Sequence, residues 1–227
     1  MSTGREISAD PRAGNVANPL ARTSQSAIRL PVLPIHFTNK LGYTLVWAPY
    51  IVAYQLVNRF PFRDPVELPM TALDRAIPFV PEILPLYVSY LLYYFFTVAR
   101  LKDDVEVSRV FYATHLQLVV SLAFFVLYPV RMPRELFYTE ASYGWADTFW
   151  RWFDAPNNCL PSLHASNVML LMQINSERPY RGLMLVLGAA IIASTLLVKQ
   201  HYAVDLLAGV LVYLLARVFL ARLVLTR

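Results

Sequence analysis

Two histidines border long apolar stretches of this chain, and each has neighbours suited to chemistry. His164 ends the run Asn157-Asn158-Cys159-Leu160-Pro161-Ser162-Leu163-His164, and His201 lies within Lys199-Gln200-His201-Tyr202-Ala203-Val204-Asp205. An ionisable side chain at membrane depth is costly to keep and is by default a functional candidate. His201 and Asp205 are four apart, so at the start of a helix they share a face and lie within contact. A carboxylate against one ring nitrogen fixes the imidazole tautomer and stabilises the imidazolium, which leaves the other nitrogen to act as nucleophile or base. In a water-soluble protein an isolated His–Asp pair is favoured as a lock between two helices. At a membrane helix mouth, with a second histidine nearby, chemistry is the favoured reading.

Pro161 and Ser162 read as the start of a helix, with Ser162 as its N-cap. Such a terminus offers free N–H groups and a positive dipole end, a ready seat for phosphate, and His164 there is placed to protonate a leaving oxygen. Arg131 and Arg134 flank Met132-Pro133, and Lys199 precedes His201. Taken singly these cations serve topology and snorkelling. Beside two histidines on one face they suit phosphate oxygens, arginine as a planar fork and lysine as a point charge. Asn167, one helical turn from His164, is a further candidate substrate contact. Tyr202 beside His201, and Asp147 in the aromatic segment 145–153, are two more.

Two histidines, a carboxylate and clustered cations suit phosphoryl transfer, where the work is positioning and charge neutralisation. No His-Glu-x-x-His occurs, so zinc chemistry is not supported, and neither a metal nor another cofactor is expected. A serine triad lacks the strand–turn–helix elbow it needs around Ser162. Cys159 is the sole cysteine, which excludes an intrachain disulfide and a cysteine-built metal site.

The elements that must hold these residues are apolar. The 227 residues are 57% hydrophobic and only 15% charged, against about one quarter charged in a soluble domain. We therefore expect an all-α polytopic membrane protein. Six transmembrane helices are predicted near 41–57, 83–99, 110–130, 162–174, 183–198 and 204–223. Pro49 and Pro85 are expected to interrupt helices. Residues 1–39 read as a disordered cytosolic tail with a juxtamembrane segment, and residues 40–227 as the membrane domain. The segment 73–81 reads as interfacial and not as a seventh span. Segment 145–153, aromatics interleaved with charge, reads as an interfacial anchor or a lipid entrance.

Most of the 20 Lys and Arg residues fall in the tail, the second and fourth loops and the C-terminus, so both termini are expected in the cytosol. The first, third and fifth loops, which carry Arg131 and Arg134, the Pro-Ser-Leu-His element and the Lys199–His201 element, then share the periplasmic, extracytoplasmic or lumenal face. The net charge of +5 comes from scattered arginines with no basic cluster, which excludes nucleic acid and leaves the bilayer and a phospholipid as partners. Oligomeric state has no sequence signature here.

Pro161-Ser162-Leu163-His164 and His201-x-x-x-Asp205 resemble the second and third signatures of the type 2 phosphatidic acid phosphatase (PAP2) superfamily, with Arg131-Met132-Pro133-Arg134 where its first belongs. The resemblance runs over about residues 73–209. It implies a six-helix PAP2-like bundle and a phosphohistidine intermediate, with His201 as nucleophile, Asp205 orienting it and His164 protonating the leaving group. Phosphate would be held by Arg131, Arg134, Ser162 and Lys199.

The chain departs from that pattern in several places. No cation lies between Phe124 and Val130, Pro133 precedes Arg134, Leu163 replaces a glycine and Thr195 follows Ser194 where arginine is usual. His201-Tyr202-Ala203-Val204-Asp205 and the Asp74…Pro81 run look closer to the inositol-phosphorylceramide and sphingomyelin synthase branch. The expected activity is a lipid phosphatase or phosphotransferase, with water or a lipid alcohol discharging the intermediate. The altered signatures motivate the alternative of a non-catalytic lipid-binding or lipid-translocating protein.

Overall fold

The computed structural model describes residues 27–33, 48–138, 144, 146, 148, 149 and 152–226. Helices dominate. In chain order they are α1 (Ala48–Arg59), α2 (Ala72–Ala76), α3 (Leu84–Val88), α4 (Tyr90–Ala99), α5 (Asp104–Leu127), α6 (Leu163–Asn175), α7 (Arg181–Leu197) and α8 (Ala203–Arg222). Four short strands complete the described elements: β1 (Ile28–Pro31), β2 (Val66–Glu67), β3 (Val130–Arg131) and β4 (Leu223–Thr226).

Three helical runs are long and apolar enough to cross a membrane: Pro81–Ala99, Asp104–Leu127 and Ala203–Arg222. They fall on the second, third and sixth predicted spans. On the fifth lies α7, apolar but of 17 residues. On the fourth lies α6, whose 13 residues reach only about 20 Å at 1.5 Å per residue. The first is represented by α1, because residues 41–47 lie outside the described part of the chain. Outward faces are apolar, with Leu92, Leu183, Leu207 and Leu211 all exposed. Water penalises a surface of that kind and lipid accepts it.

Pro85 does not break a helix as expected, because it stands in the first turn of α3. There the missing N–H is an orphan in any case, so the cost of proline vanishes. The residues just before Ala48, which bear on Pro49, lie outside the described part of the chain.

Short α6 is the central element, packed on α4, α5, α7 and α8. Ala165, Ser166, Asn167, Val168, Leu170 and Leu171 are all buried along it. Polar bonds stitch it to its neighbours: Gln117 Nε2 donates to the Ser166 carbonyl at 2.9 Å, and Asn175 Nδ2 to Thr97 Oγ1 at 2.8 Å. Such bonds and close-packed small residues are what hold helices together where the hydrophobic effect is weak.

The bundle has two distinct ends. At one, β1 runs parallel to β4, Arg178 pairs with Glu106 at 2.7 Å, and the Asp103 side chain caps α5 through the Glu106 N–H. Ile28–Pro31 thus form a paired strand in the juxtamembrane part of segment 1–39. At the other end, β2 pairs with β3, Val130 bridges to Asn158, and Asn58 bonds Asp154 and Asn157. The first, third and fifth loops meet there, as the helix count requires. The segment 73–81 supplies α2 and a 3-10 turn at Pro81–Ile83 that feeds directly into α3.

Close approach of α8 to the turn before α6 depends on Gly209. A Cβ at that position would stand 2.6 Å from the Ser162 carbonyl oxygen. Gly209→Ala should therefore force the Ser162 turn away from α8. Overpacking of this kind costs about 1–3 kcal/mol, to be read as a fall in thermal midpoint together with a loss of turnover.

Candidate active site

The turn between α7 and α8 holds His201 from both sides. α7 ends with the Lys199 N–H on the Leu196 carbonyl and the Gln200 N–H on the Thr195 carbonyl. Lys199 occupies the left-handed region at φ 49°, where a helix C-terminus ordinarily places glycine. Its ammonium offsets that strain by donating to the carbonyls of Asp74 at 2.8 Å and Ile77 at 2.7 Å. The Asp74 carboxylate in turn accepts from the Ala203 N–H at 2.7 Å, closing the first turn of α8, and from the Thr71 backbone and hydroxyl. Burial by itself would raise the Asp74 pKa. The donors from Thr71 and Ala203, with Lys199 nearby, carry it below the ordinary carboxylate value. Burial lowers the Lys199 ammonium, opposed by Asp74.

Asp205 completes the turn. Its Oδ2 accepts from the Tyr202 N–H at 2.9 Å and lies 3.3 Å from His201 Nδ1. His201 precedes α8 and is not part of it, so the pair is made through the helix-capping turn and not along one helical face. With Nδ1 on the carboxylate, Nε2 is left for other work. The Asp205 carbonyl also accepts from the Ser162 N–H at 2.9 Å, which ties the two histidine-bearing segments together.

Ser162 caps α6 by accepting from the Ala165 N–H at 3.2 Å, as the sequence predicts. His164, one residue into that helix, stacks on Tyr87 with ring centroids 4.3 Å apart and leans on Tyr90 at 4.4 Å. Its Nε2 lies 3.3 Å from the Tyr87 carbonyl oxygen.

Both histidines line one cavity of about 480 Å³. Arg134, Asp154, Asn158, Asn167 and Gln200 share its wall, while α1 contributes Tyr50, Ile51 and Tyr54 and α4 contributes Leu91, Tyr94 and Phe95. Arg134 is buried and donates to the Asp154 carbonyl at 2.5 Å, with the Asp154 carboxylate 3.6 Å away. Tyr54 and Asn58 donate to that carboxylate at 3.1 and 2.6 Å. Burial raises the Asp154 pKa, with Arg134 opposing.

The expected site residues thus divide. His164, His201, Arg134 and Asn167 share the cavity, and Asp205 supports His201 from behind. Ser162 is fully buried as a cap. Arg131 faces outward in ion pairs with Glu67 and Glu135, and Lys199 is committed to two carbonyls. Tyr202 donates to the Arg131 carbonyl and packs with Val130, Met132 and Cys159, away from the cavity. Asp147 lies outside the described residues. Thr195, where an arginine was expected by resemblance, bonds its own helix at the Ile192 carbonyl.

Asp154, Asn158, Gln200 and the Asp74 clamp were not anticipated. The signal for Asp154 was a carboxylate closing an aromatic stretch, eight residues ahead of Ser162. The donor atoms of Cys159, His201 and Asp205 lie within 4.8 Å of one another. Burial, however, pushes the Cys159 thiol well above its usual value, and its sulfur bonds the Pro156 carbonyl, so this trio is a poor cradle for a cation.

If Lys199 works as a clamp, Lys199→Met should destabilise substrate-free protein. Loss of a hydrogen-bonded charge with two stranded carbonyls costs about 1.5–3 kcal/mol, measurable by thermal unfolding in detergent. A residue that only gripped phosphate would leave that midpoint unchanged.

The family model described as the PAP2 superfamily matches residues 84–219, more than half of the chain, from α3 to near the end of α8. No curated protein and no solved structure matches. The matched region contains His164, His201, Asp205 and Arg134, and on that evidence the chain belongs to the PAP2 superfamily.

Proposed function

We propose that this protein is a bilayer-embedded lipid phosphatase or phosphotransferase that works through a phosphohistidine. Superfamily membership suggests phosphatase-type activity. The observation that carries the finer reading is one cavity holding His164, His201 and Arg134 beside Asp154, Asn158, Asn167 and Gln200, with aromatic and aliphatic side chains making up most of the remaining wall.

The His201 Nε2 lone pair attacks phosphorus, and the bond from phosphorus to the leaving oxygen breaks. His164 delivers its proton to that oxygen. Asp205 keeps Nδ1 protonated and steadies the positive ring. In the second half, water or a lipid hydroxyl attacks phosphorus and gives its proton to His164 as the N–P bond breaks. Arg134 and the first-turn N–H groups of α6 hold the phosphate oxygens. Six helices cross the bilayer in this reading. The reacting end faces away from the cytosol, in keeping with the excess of Lys and Arg in the tail, the second and fourth loops and the C-terminus.

A lipid-binding or lipid-translocating protein is the second reading, favoured by the engagement of Arg131 and Lys199 elsewhere. The two part on chemistry. His201→Ala should abolish turnover in purified protein, and lipid flipping that survives it with no turnover of any phospholipid would select the second reading. His164→Ala should slow turnover by about 10²–10⁴-fold, the usual worth of a general acid. It should also let an acid-labile phosphate accumulate on histidine; label found on serine would overturn the scheme.

A further inference from the structure

We propose that Asn158, Asn167 and Gln200 form a receptor for hydroxyl groups next to the phosphate, so that the preferred ligand carries a polyol. The inference rests on the phosphoryl-transfer reading and concerns what lies beside the phosphorus. Gln200 and Asn167 are each 2% exposed and Asn158 6%, and all three line the cavity that holds both histidines.

The Gln200 backbone and one amide atom of Asn158 are fixed. The Gln200 N–H bonds the Thr195 carbonyl, its own carbonyl accepts from Cys159, and Asn158 Nδ2 donates to the Tyr54 carbonyl at 3.2 Å. Yet Asn158 Oδ1, Asn167 Oδ1 and both side-chain atoms of Gln200 make no hydrogen bond among the described residues. Buried polar atoms are overwhelmingly paired in folded proteins, so a cluster of orphans on one cavity wall points to a bound partner.

The chemistry of that partner follows from what is orphaned. Three of the four atoms are carbonyl-type oxygens, which need donors. Ionised phosphate oxygens only accept, and ester and acyl oxygens do the same, so a bare diacyl phosphate satisfies none of the three. Hydroxyl groups donate to the amide oxygens and accept from Gln200 Nε2. Asp154, on the same wall, adds a carboxylate of the same preference. A site built to bond hydroxyls discriminates against analogues lacking them far more strongly than a hydrophobic pocket does against size.

The hydroxyls could belong to the lipid headgroup or to the acceptor alcohol. Purified full-length protein in phosphatidylcholine vesicles would be given phosphatidylglycerol, phosphatidylinositol or phosphatidic acid singly, and phosphatidic acid with added glycerol or inositol. Faster turnover of the two polyol lipids places the hydroxyls on the headgroup. A polyol phosphate formed from phosphatidic acid and the free polyol, with diacylglycerol released, places them on the acceptor.

Gln200→Leu, and independently Asn167→Leu, should cut the polyol-to-phosphatidic-acid ratio by about 10–100-fold. Both substrates are measured on one preparation, so partial loss of folded protein cancels. Phosphatidic acid handled as well as the polyol lipids, with no product from free polyol and ratios unmoved by either variant, would overturn the proposal and assign the orphans to ordered water. Absence of phosphoenzyme and of turnover on every lipid would instead remove the reading beneath it.

Discussion

The Lys199 ammonium and the Asp74 carboxylate fasten three segments at one point, and the reacting geometry depends on that fastening. Lys199 sits where the backbone favours glycine. Its two bonds to the carbonyls of Asp74 and Ile77 hold α7's end against the segment before α3. Asp74 closes the first turn of α8 from the same place. His201 lies between these two helix ends, so its position is set by a loop more than a hundred residues earlier. A cation expected to grip substrate instead holds the turn that carries His201.

The second constraint is the meeting of α8 with the turn before α6. The Ser162 N–H donates to the Asp205 carbonyl, and Gly209 removes the side chain that would block this approach. His164 follows one of the two segments so joined, and His201 precedes the other. Their relative placement is therefore a backbone property, little affected by the mobility of long side chains. Withdrawal of Arg131 and Lys199 from the cavity leaves Arg134 as the cation on its described wall. Arg134 is itself shared with Asp154, so the local field is close to balanced. Such a setting suits a ligand that brings both negative charge and hydrogen-bond donors.

Aromatic packing gives the cavity its other character. Tyr87 and Tyr90 cover His164 on two faces, and Tyr54 joins an apolar wall to the polar one through its bond to Asp154. The wall is thus amphipathic, joining Arg134 and the histidines with Ile51, Leu91 and Phe95.

Several features were readable along the chain because each depends on residues a few positions apart. The apolar runs, the Ser162 cap, the four-residue step from His201 to Asp205 and the gathering of odd-numbered loops at one end all follow from local pattern and connectivity. Helix lengths were partly readable: the second, third and sixth runs reach crossing length, while α6 is short because it is sheathed by its neighbours. The partners of the cations were not readable. Lys199 meets Asp74 across 125 positions, and Asp154 meets Tyr54 across 100. Nothing in either stretch encodes the other, since burial and backbone strain appear only once the helices pack. Spacing alone therefore named the histidines and their carboxylate. Packing settled which charges face the cavity, because a buried ammonium takes whatever carbonyls the fold brings within reach.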